Sequence, residues 1–178
     1  MNHVMLDLET MGTSSQAAIV AIGAIEFDPV TGKLGREFYR NVDLSDCIKH
    51  GLRVDGRTVM WWLSQSDEAR QALMATHPIP LRDALLQFDE FMQYVDVPSV
   101  WGNGAGFDNV ILSNAYETVG LKRPWSYKGD RDVRTMTMLG EIIGIQHEDA
   151  AHNALEDAKI QARYVSQVWQ KLLWDVEE

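Results

Sequence analysis

Apolar and polar residues alternate from His3 to Glu9, with Val4, Leu6 and Leu8 on one side and His3, Met5, Asp7 and Glu9 on the other, which predicts a strand. The polar run Thr10-Met11-Gly12-Thr13-Ser14-Ser15 reads as a loop. Ala18 to Phe27 is apolar on both faces, so it is expected as an interior strand. Asp28-Pro29-Val30-Thr31-Gly32 is a turn signal, and Leu34 to Val42 returns as a third strand. Connections this short join antiparallel neighbours, so the first strands form a meander. The period then lengthens to that of helices over Arg57–Gln65, Asp67–Ala75 and Leu81–Val95, the last with Ala84, Leu85, Phe88, Phe91, Met92 and Val95 on one stripe. Pro98 to Gly102 predicts a short buried strand, Phe107 to Val119 a helix, and Tyr127 to Val133 a brief extended piece. Helices over Arg134–Ile143 and Asn153–Trp174 follow, the second repeating Leu155, Ala158, Ala162, Val165, Trp169 and Leu172. Three antiparallel strands followed by alternating helices and strands predict an α/β fold, a mixed sheet flanked by helices, in one domain over residues 1–178.

Composition narrows the class. A chain of 178 residues, 46% hydrophobic, can bury a sizeable core. Its longest apolar run, Ala17 to Ile25, is too short to cross a bilayer, and the start Met1-Asn2-His3-Val4 lacks the basic and apolar blocks of a signal peptide. A single cysteine, Cys47, allows neither an internal disulfide nor a cysteine-based zinc site, which points to a reducing, cytoplasmic setting. The net charge of −10 excludes a protein that coats long nucleic acid, whose affinity comes from a broadly basic surface. Any polyanion it handles should be gripped over a short stretch or at an end, with cations offsetting the protein's own acids.

The acids themselves carry the candidate chemistry. Asp7 and Glu9 share a face at a strand end, about 7 Å apart along the chain. At that spacing two carboxylates can converge on a pair of divalent ions about 4 Å apart, the clamp that serves in-line phosphoryl displacement. The same pair also reads as two solvated acids at a strand end. Asp108 falls on the inward stripe of its helix with Ile111, Leu112, Ala115 and Val119, where a carboxylate needs a partner, although Asp is also a favoured helix cap. Near the C-terminus, Asn153 is an expected N-cap, with Glu156 three residues on as a variant of the capping box. His152 and Asp157 then occupy the two positions that meet across a helix start. An imidazole and a carboxylate add nothing to apolar packing there, so a chemical role is the better account, with Asp157 holding a metal and His152 reaching a water. His3, His50, His77 and His147 read as solvated.

Taken in order, Asp7-x-Glu9, Asp108 and His152-x-x-x-x-Asp157 resemble the DEDDh class of 3′→5′ exonucleases, the DnaQ-like group on the RNase H-like fold. The phrase Leu6-Asp7-Leu8-Glu9-Thr10-Met11-Gly12-Thr13, the Trp61-Trp62-Leu63 helix and the Trp101-Gly102-Asn103-Gly104 strand end are similar to the ribonuclease-T-like subgroup of small phage and bacterial exonucleases. The resemblance implies that Asp7, Glu9, Asp108 and Asp157 hold two Mg²⁺ or Mn²⁺ ions, hard cations suited to oxygen donors. It makes His152 the general base and places Glu9 near the terminal 3′-hydroxyl. It also sets the backbone of Thr10 and Met11 against the terminal nucleotide. Phe107 is a candidate for stacking on a base and equally reads as core. Trp61 and Trp62 cannot both be core on one helix face, which leaves one, Trp61, for substrate. The implied activity is metal-dependent release of nucleoside 5′-monophosphates from single-stranded 3′ ends, leaning to RNA over DNA.

One segment runs against the acidic trend: Lys122, Arg123, Lys128, Arg131 and Arg134 stand against only Asp130 and Asp132, with Trp125 and Tyr127 interleaved. Cations with aromatics suit a single-strand track, and the same run reads as a solvated loop. The resemblance also admits a homodimer in which one subunit's patch feeds the other's site. Two rivals differ in class. Gly102-x-Gly104 hints at a dinucleotide-binding loop, but Phe107 stands where the fingerprint wants glycine. A catalytically inactive binding module on the same fold is the other.

Overall fold

The computed structural model describes residues 1–74, 77–146, 148 and 152–174. Strands β1 (His3–Thr10), β2 (Ile19–Phe27) and β3 (Leu34–Asn41) form the expected antiparallel meander. Helices α1 (Leu44–Lys49), α2 (Gly56–Leu63), α3 (Asp67–Leu73) and α4 (Leu81–Met92) follow. Then come β4 (Ser99–Gly102), α5 (Asp108–Thr118), a 3-10 turn over Tyr127–Gly129, β5 (Asp130–Asp132), α6 (Val133–Ile142) and α7 (Ala154–Trp174). The sheet order is β3-β2-β1-β4-β5, with β4 parallel to both β1 and β5. β1 is therefore the middle strand, and β2, buried at every position, is interior beside it.

The alternation along β1 sorts its side chains onto the two faces of the sheet. Val4, Leu6 and Leu8 join one cluster with residues of α4 and α5, including Leu85, Phe88, Ile111 and Leu112. Met5 joins the other, with Phe27, Trp101 and the α7 residues Ala158, Ala162 and Val165. Asp7 and Glu9 continue the Met5 side of the strand, so they emerge beneath α7.

Three local expectations change. α1 was not foreseen; Asp43 starts it by accepting hydrogen bonds from the backbone N–H groups of Ser45 and Asp46. The piece expected to be extended from Tyr127 begins as a 3-10 turn, because the Ser126 hydroxyl accepts from the N–H of Lys128 and closes the chain locally. His3 is a satisfied half-buried histidine: its Nδ1 accepts from Trp101 Nε1 at 2.9 Å, its ring packs on Phe27 and Trp169, and burial lowers its pKa. His147, and Ala75 at the expected end of α3, lie outside the described residues.

Gly23 brings α7 against the sheet. A Cβ on it would stand 2.2 Å from the carbonyl carbon of Ala154 and 2.3 Å from the nitrogen of Leu155, so any side chain there must displace the start of α7. Gly23→Ala is expected to cost about 1–3 kcal/mol, the usual penalty of overpacking. It should also lower activity, because Asp157 rides on the displaced turn. Urea melts alongside activity measured well below the midpoint check both effects.

Candidate active site

β1 pairs with β4 only as far as Met5 and Trp101, and beyond that point the two strands part. The N–H of Leu8 is taken instead by Asp108, whose Oδ1 accepts it at 3.2 Å. Phe107 is the cap residue of α5, so Asp108 is its first helical residue rather than its cap, and it is buried. At the same end of β1 the pairing with β2 slips: Glu9 faces Ala21 while Thr10 faces Ile19. Such irregularities re-aim side chains at a strand end.

α7 supplies the opposing groups. Asn153 Oδ1 accepts from the N–H groups of Leu155 and Glu156, as an N-cap should. The return contact expected of Glu156 is made by Asp157, whose Oδ2 accepts from Asn153 N at 3.2 Å; Glu156 turns outward to Lys159. A carboxylate expected only to face the metal thus also closes its own helix start. One turn further along the same stripe, Gln161 Nε2 donates to Asp7 Oδ1 at 2.8 Å. Gln161 was missed in the sequence, although its i+4 spacing from Asp157 is the available signal.

Ligand atoms of Asp7, Glu9 and Asp157 all lie within 4.8 Å of one another. Asp108 does not belong to that three-way set; it flanks it, close enough that its charge disfavours ionisation of Asp7 and Glu9. Burial, then the Asp108 and Glu9 charges, raise Asp7 well above the usual carboxylate range. Burial, then Asp157 and Asp108, push Glu9 up to about 7. Asp108 is raised to about 7 by burial, against the opposing pull of its backbone hydrogen bonds and the Arg134 guanidinium. Glu9 Oε1 is buried without a hydrogen-bond partner among the described residues. Three carboxylates that resist ionisation, Asp7, Glu9 and Asp108, gathered with Asp157 and with one oxygen orphaned, fit a site for hard divalent cations.

A cavity of about 630 Å³ opens beside this cluster, lined by Glu9, Thr10, Trp61, Trp62 and Phe107 among others. The two tryptophans divide as their helix positions require: Trp62 is buried and its Nε1 donates to the Thr10 carbonyl at 3.0 Å, while Trp61 is 45% exposed at the cavity wall. Phe107 lines the cavity and packs on the core. Met11 is not at the cavity surface. Its N–H donates to the Ala18 carbonyl and its own carbonyl accepts from Asp55, so its backbone is spent inside the loop. Arg57 and Asp55 also line the cavity and were not singled out from the sequence. His152, the residue before the N-cap, holds a left-handed backbone (φ 54°) and sets its ring against Trp61 and Trp62 at 5.2 and 6.1 Å between centroids. Both tryptophans belong to the cavity wall, so the imidazole stands beside that wall.

The raised carboxylates have a consequence for stability. A group whose folded pKa lies above its unfolded value stabilises the fold below the unfolded pKa and loses that contribution as pH rises through the folded one. With Glu9 shifted from 4.5 to about 7 and Asp108 from 3.8 to about 7, the metal-free protein should lose thermal stability between about pH 4 and about pH 7. Divalent ions bind the ionised form, so they should restore most at the alkaline end. At about 100 times the dissociation constant the gain is about 2.7 kcal/mol, or roughly 5–10 °C in Tm for a chain of this size. Melts in EDTA and in excess Mn²⁺ across this range check it, and equal curves would remove the cation from the site.

The chain is similar to known proteins in sequence and in fold. Residues 2–169 match a family model described as the 3′-5′ exoribonuclease Rv2179c-like domain. The exodeoxyribonuclease of Enterobacteria phage T4 is 25% identical over a 193-residue alignment covering 86% of this chain and 84% of that one. Among solved structures, the nuclease domain of 3′hExo, a DEDDh family member bound to rAMP, superposes with a TM-score of 0.62 at 14% identity, covering 95% of this chain and 92% of that one. Exonuclease X in complex with 5′ overhanging duplex DNA gives 0.60 at 15% identity, with 98% and 95% covered. Exonuclease I of E. coli in complex with a dT13 oligonucleotide gives 0.65 at 18% identity, covering 98% of this chain and 42% of that larger one. The fold is the RNase H-like fold of DEDDh exonucleases.

Proposed function

The chain belongs to the Rv2179c-like 3′-5′ exoribonuclease domain family, and from that premise we propose that it trims single-stranded RNA from the 3′ end to nucleoside 5′-monophosphates, as one domain over residues 1–178. It is a 3′-5′ exonuclease of the DEDDh class by family and fold, which supports activity over the inactive-module reading. The observation that carries the assignment of its centre is the convergence of Asp7, Glu9 and Asp157 within 4.8 Å beside a cavity walled by Trp61 and Phe107. In this reading Asp7, Glu9, Asp108 and Asp157 hold two ions, Mg²⁺ or Mn²⁺. Such ions, when bound, supply Lewis-acid stabilisation of the charge that builds on the phosphate.

The chain's own groups do the rest. His152 takes the proton of the attacking water as its oxygen bonds to phosphorus, and the bond from phosphorus to the upstream 3′-oxygen breaks. The terminal nucleotide leaves as a 5′-monophosphate, and the 3′-oxygen of the shortened strand takes a proton from water to become a 3′-hydroxyl. Trp61 and Phe107 grip the terminal nucleoside by their ring faces, and Thr10, held by Trp62, shapes the floor beside Glu9. Met11 serves this site through the loop it ties down rather than by touching the nucleotide.

RNA is favoured because the matching family is described as exoribonuclease. The T4 relative, an exodeoxyribonuclease, favours a second reading in which the strand is DNA. Digestion of matched 3′-labelled and 5′-labelled RNA and DNA oligonucleotides, with Mg²⁺, Mn²⁺ or EDTA, separates them. Early release of the 3′ label from RNA, abolished by EDTA, is the expected result. Faster loss from DNA would transfer the assignment to the second reading.

A further inference from the structure

The basic segment does not form one patch. Lys122 and Arg123 line a cavity beside α5 that also holds Glu117 and Asp130. Arg123 is engaged there, bonded to the Ser113 hydroxyl, paired with Asp130 and stacked on Trp125. The remaining three cations are arranged differently. β5 is the edge strand of the sheet, and Arg131 lies on it. Lys128 precedes its amino end, and Arg134 follows its carboxyl end, where the guanidinium carbon lies 3.1 Å from where a Cβ of Gly104 would stand. Arg134 is also close enough to Asp108 for its charge to favour that carboxylate.

The carboxylates of the same segment are consumed by donors. Asp130 Oδ1 accepts from Trp125 Nε1 at 2.7 Å and Asn109 Nδ2 at 2.9 Å. Asp132 accepts from the N–H groups of Ala105 at 2.8 Å and Thr135 at 3.2 Å. By contrast, among the described residues Lys128, Arg131 and Arg134 enter no ion pair within 4.0 Å; Arg131 is held only by the carbonyls of Lys128 and Asp130. The edge thus presents three cations in a row while its acids turn away. In a chain of net charge −10 that edge is a local reversal of sign, suited to an anion.

The row ends in a cavity of about 300 Å³ lined by Lys128, Arg131, Ser99, Ser126 and Val97, with no carboxylate in its wall. The cavities holding Glu9 and Asp55, or Glu117 and Asp130, carry two each, and the one that Arg134 lines carries Glu141. Val97, 81% exposed, adopts φ 45°, a left-handed conformation that a β-branched residue rarely takes and that concentrates at functional sites. Tyr127, 68% exposed and adjacent to Lys128 in the chain, offers a free ring face.

We propose that the β5 edge, from Arg134 beside Asp108 through Arg131 to Lys128 and the cavity under Val97, is a phosphate track for the single strand whose 3′ end is being cut. It holds the phosphodiester backbone 5′ of the cut, on the same subunit. This rests on the exonuclease reading, and it sets substrate length as a determinant of efficiency.

The test is the double variant Lys128→Gln, Arg131→Gln, with Tyr127→Ala as a separate probe of stacking. Both are exposed positions, and unchanged melting confirms the fold. The ratio of kcat/KM on a long single strand to kcat/KM on a dinucleotide should fall about tenfold in the double variant, mostly through KM. Binding of the intact strand by Asp7→Asn protein, followed by fluorescence anisotropy, should lose about 1.4 from its log–log salt slope when both cations are removed, at about 0.7 for each phosphate. An unchanged ratio or an unchanged slope overturns the track. Wild-type protein that cleaves neither substrate would overturn the exonuclease reading instead, with the track then judged by the slope alone.

Discussion

Asp7→Asn is expected to abolish exonuclease activity while making the metal-free protein more stable. The two effects have opposite signs because one carboxylate serves two states. Asp7 is pushed well above its ordinary pKa by burial and by Asp108 and Glu9, so its ionised form is unwelcome in the protein without cations. Asparagine has nearly the same shape and keeps an oxygen to accept from Gln161 Nε2. It removes the charge that repels its neighbours. Each kcal/mol of relieved repulsion should raise Tm by roughly 2–4 °C in EDTA. Activity moves the other way, since removing a ligand from a phosphoryl-transfer centre forfeits about 4 kcal/mol of transition-state stabilisation, about a thousandfold in rate. Calorimetry and a 3′-label release assay on one preparation check both. A variant that is inactive and also less stable in EDTA would mean that Asp7 is a structural group rather than a ligand.

His152→Ala should lower kcat by about 10²–10⁴-fold, the range of a general base, while leaving the Mn²⁺ thermal shift close to that of the wild type. His152 sits before the α7 cap with its ring against Trp61, outside the three-carboxylate set, so removing it leaves the cation ligands in place. Because His152 holds φ 54°, His152→Asn, which tolerates that conformation, is the control for backbone strain. If Asn restores most of the rate, the residue acts through the shape of the turn. If Asn and Ala fail alike, it acts by proton transfer.

Much of the site could be read along the chain because its parts are local patterns. Asp7 and Glu9 follow from the alternation of β1, and Asp157 from the capping signal at Asn153. The division between Trp61 and Trp62 follows from two adjacent positions on one short helix. Other features depend on groups far apart. The hydrogen bond from Gln161 to Asp7 spans 154 residues, and that from Leu8 to Asp108 spans 100. Spacing places Gln161 on the stripe of Asp157 but does not show that it reaches Asp7, and nothing in it joins Leu8 to Asp108. The capping role of Asp157 escaped notice because Glu156 stands at the position where the usual box looks for its acid.

By itself the amino-acid order determined the alternation and helical periods, hence the strands, helices and meander, and the ordered set of four acids and a histidine. These are consequences of which side chains can share a face of one element, a choice settled within a few residues. Only the tertiary structure decided that Asp108 flanks rather than joins the three-carboxylate set. The same holds for the backbone of Met11, which is spent inside its loop, and for the basic run, which divides between a pocket beside α5 and the free edge of β5. Those outcomes depend on where β1 and β4 separate and on which partners reach each charge first, and contacts between distant segments fix both only once the sheet and α7 have closed on each other.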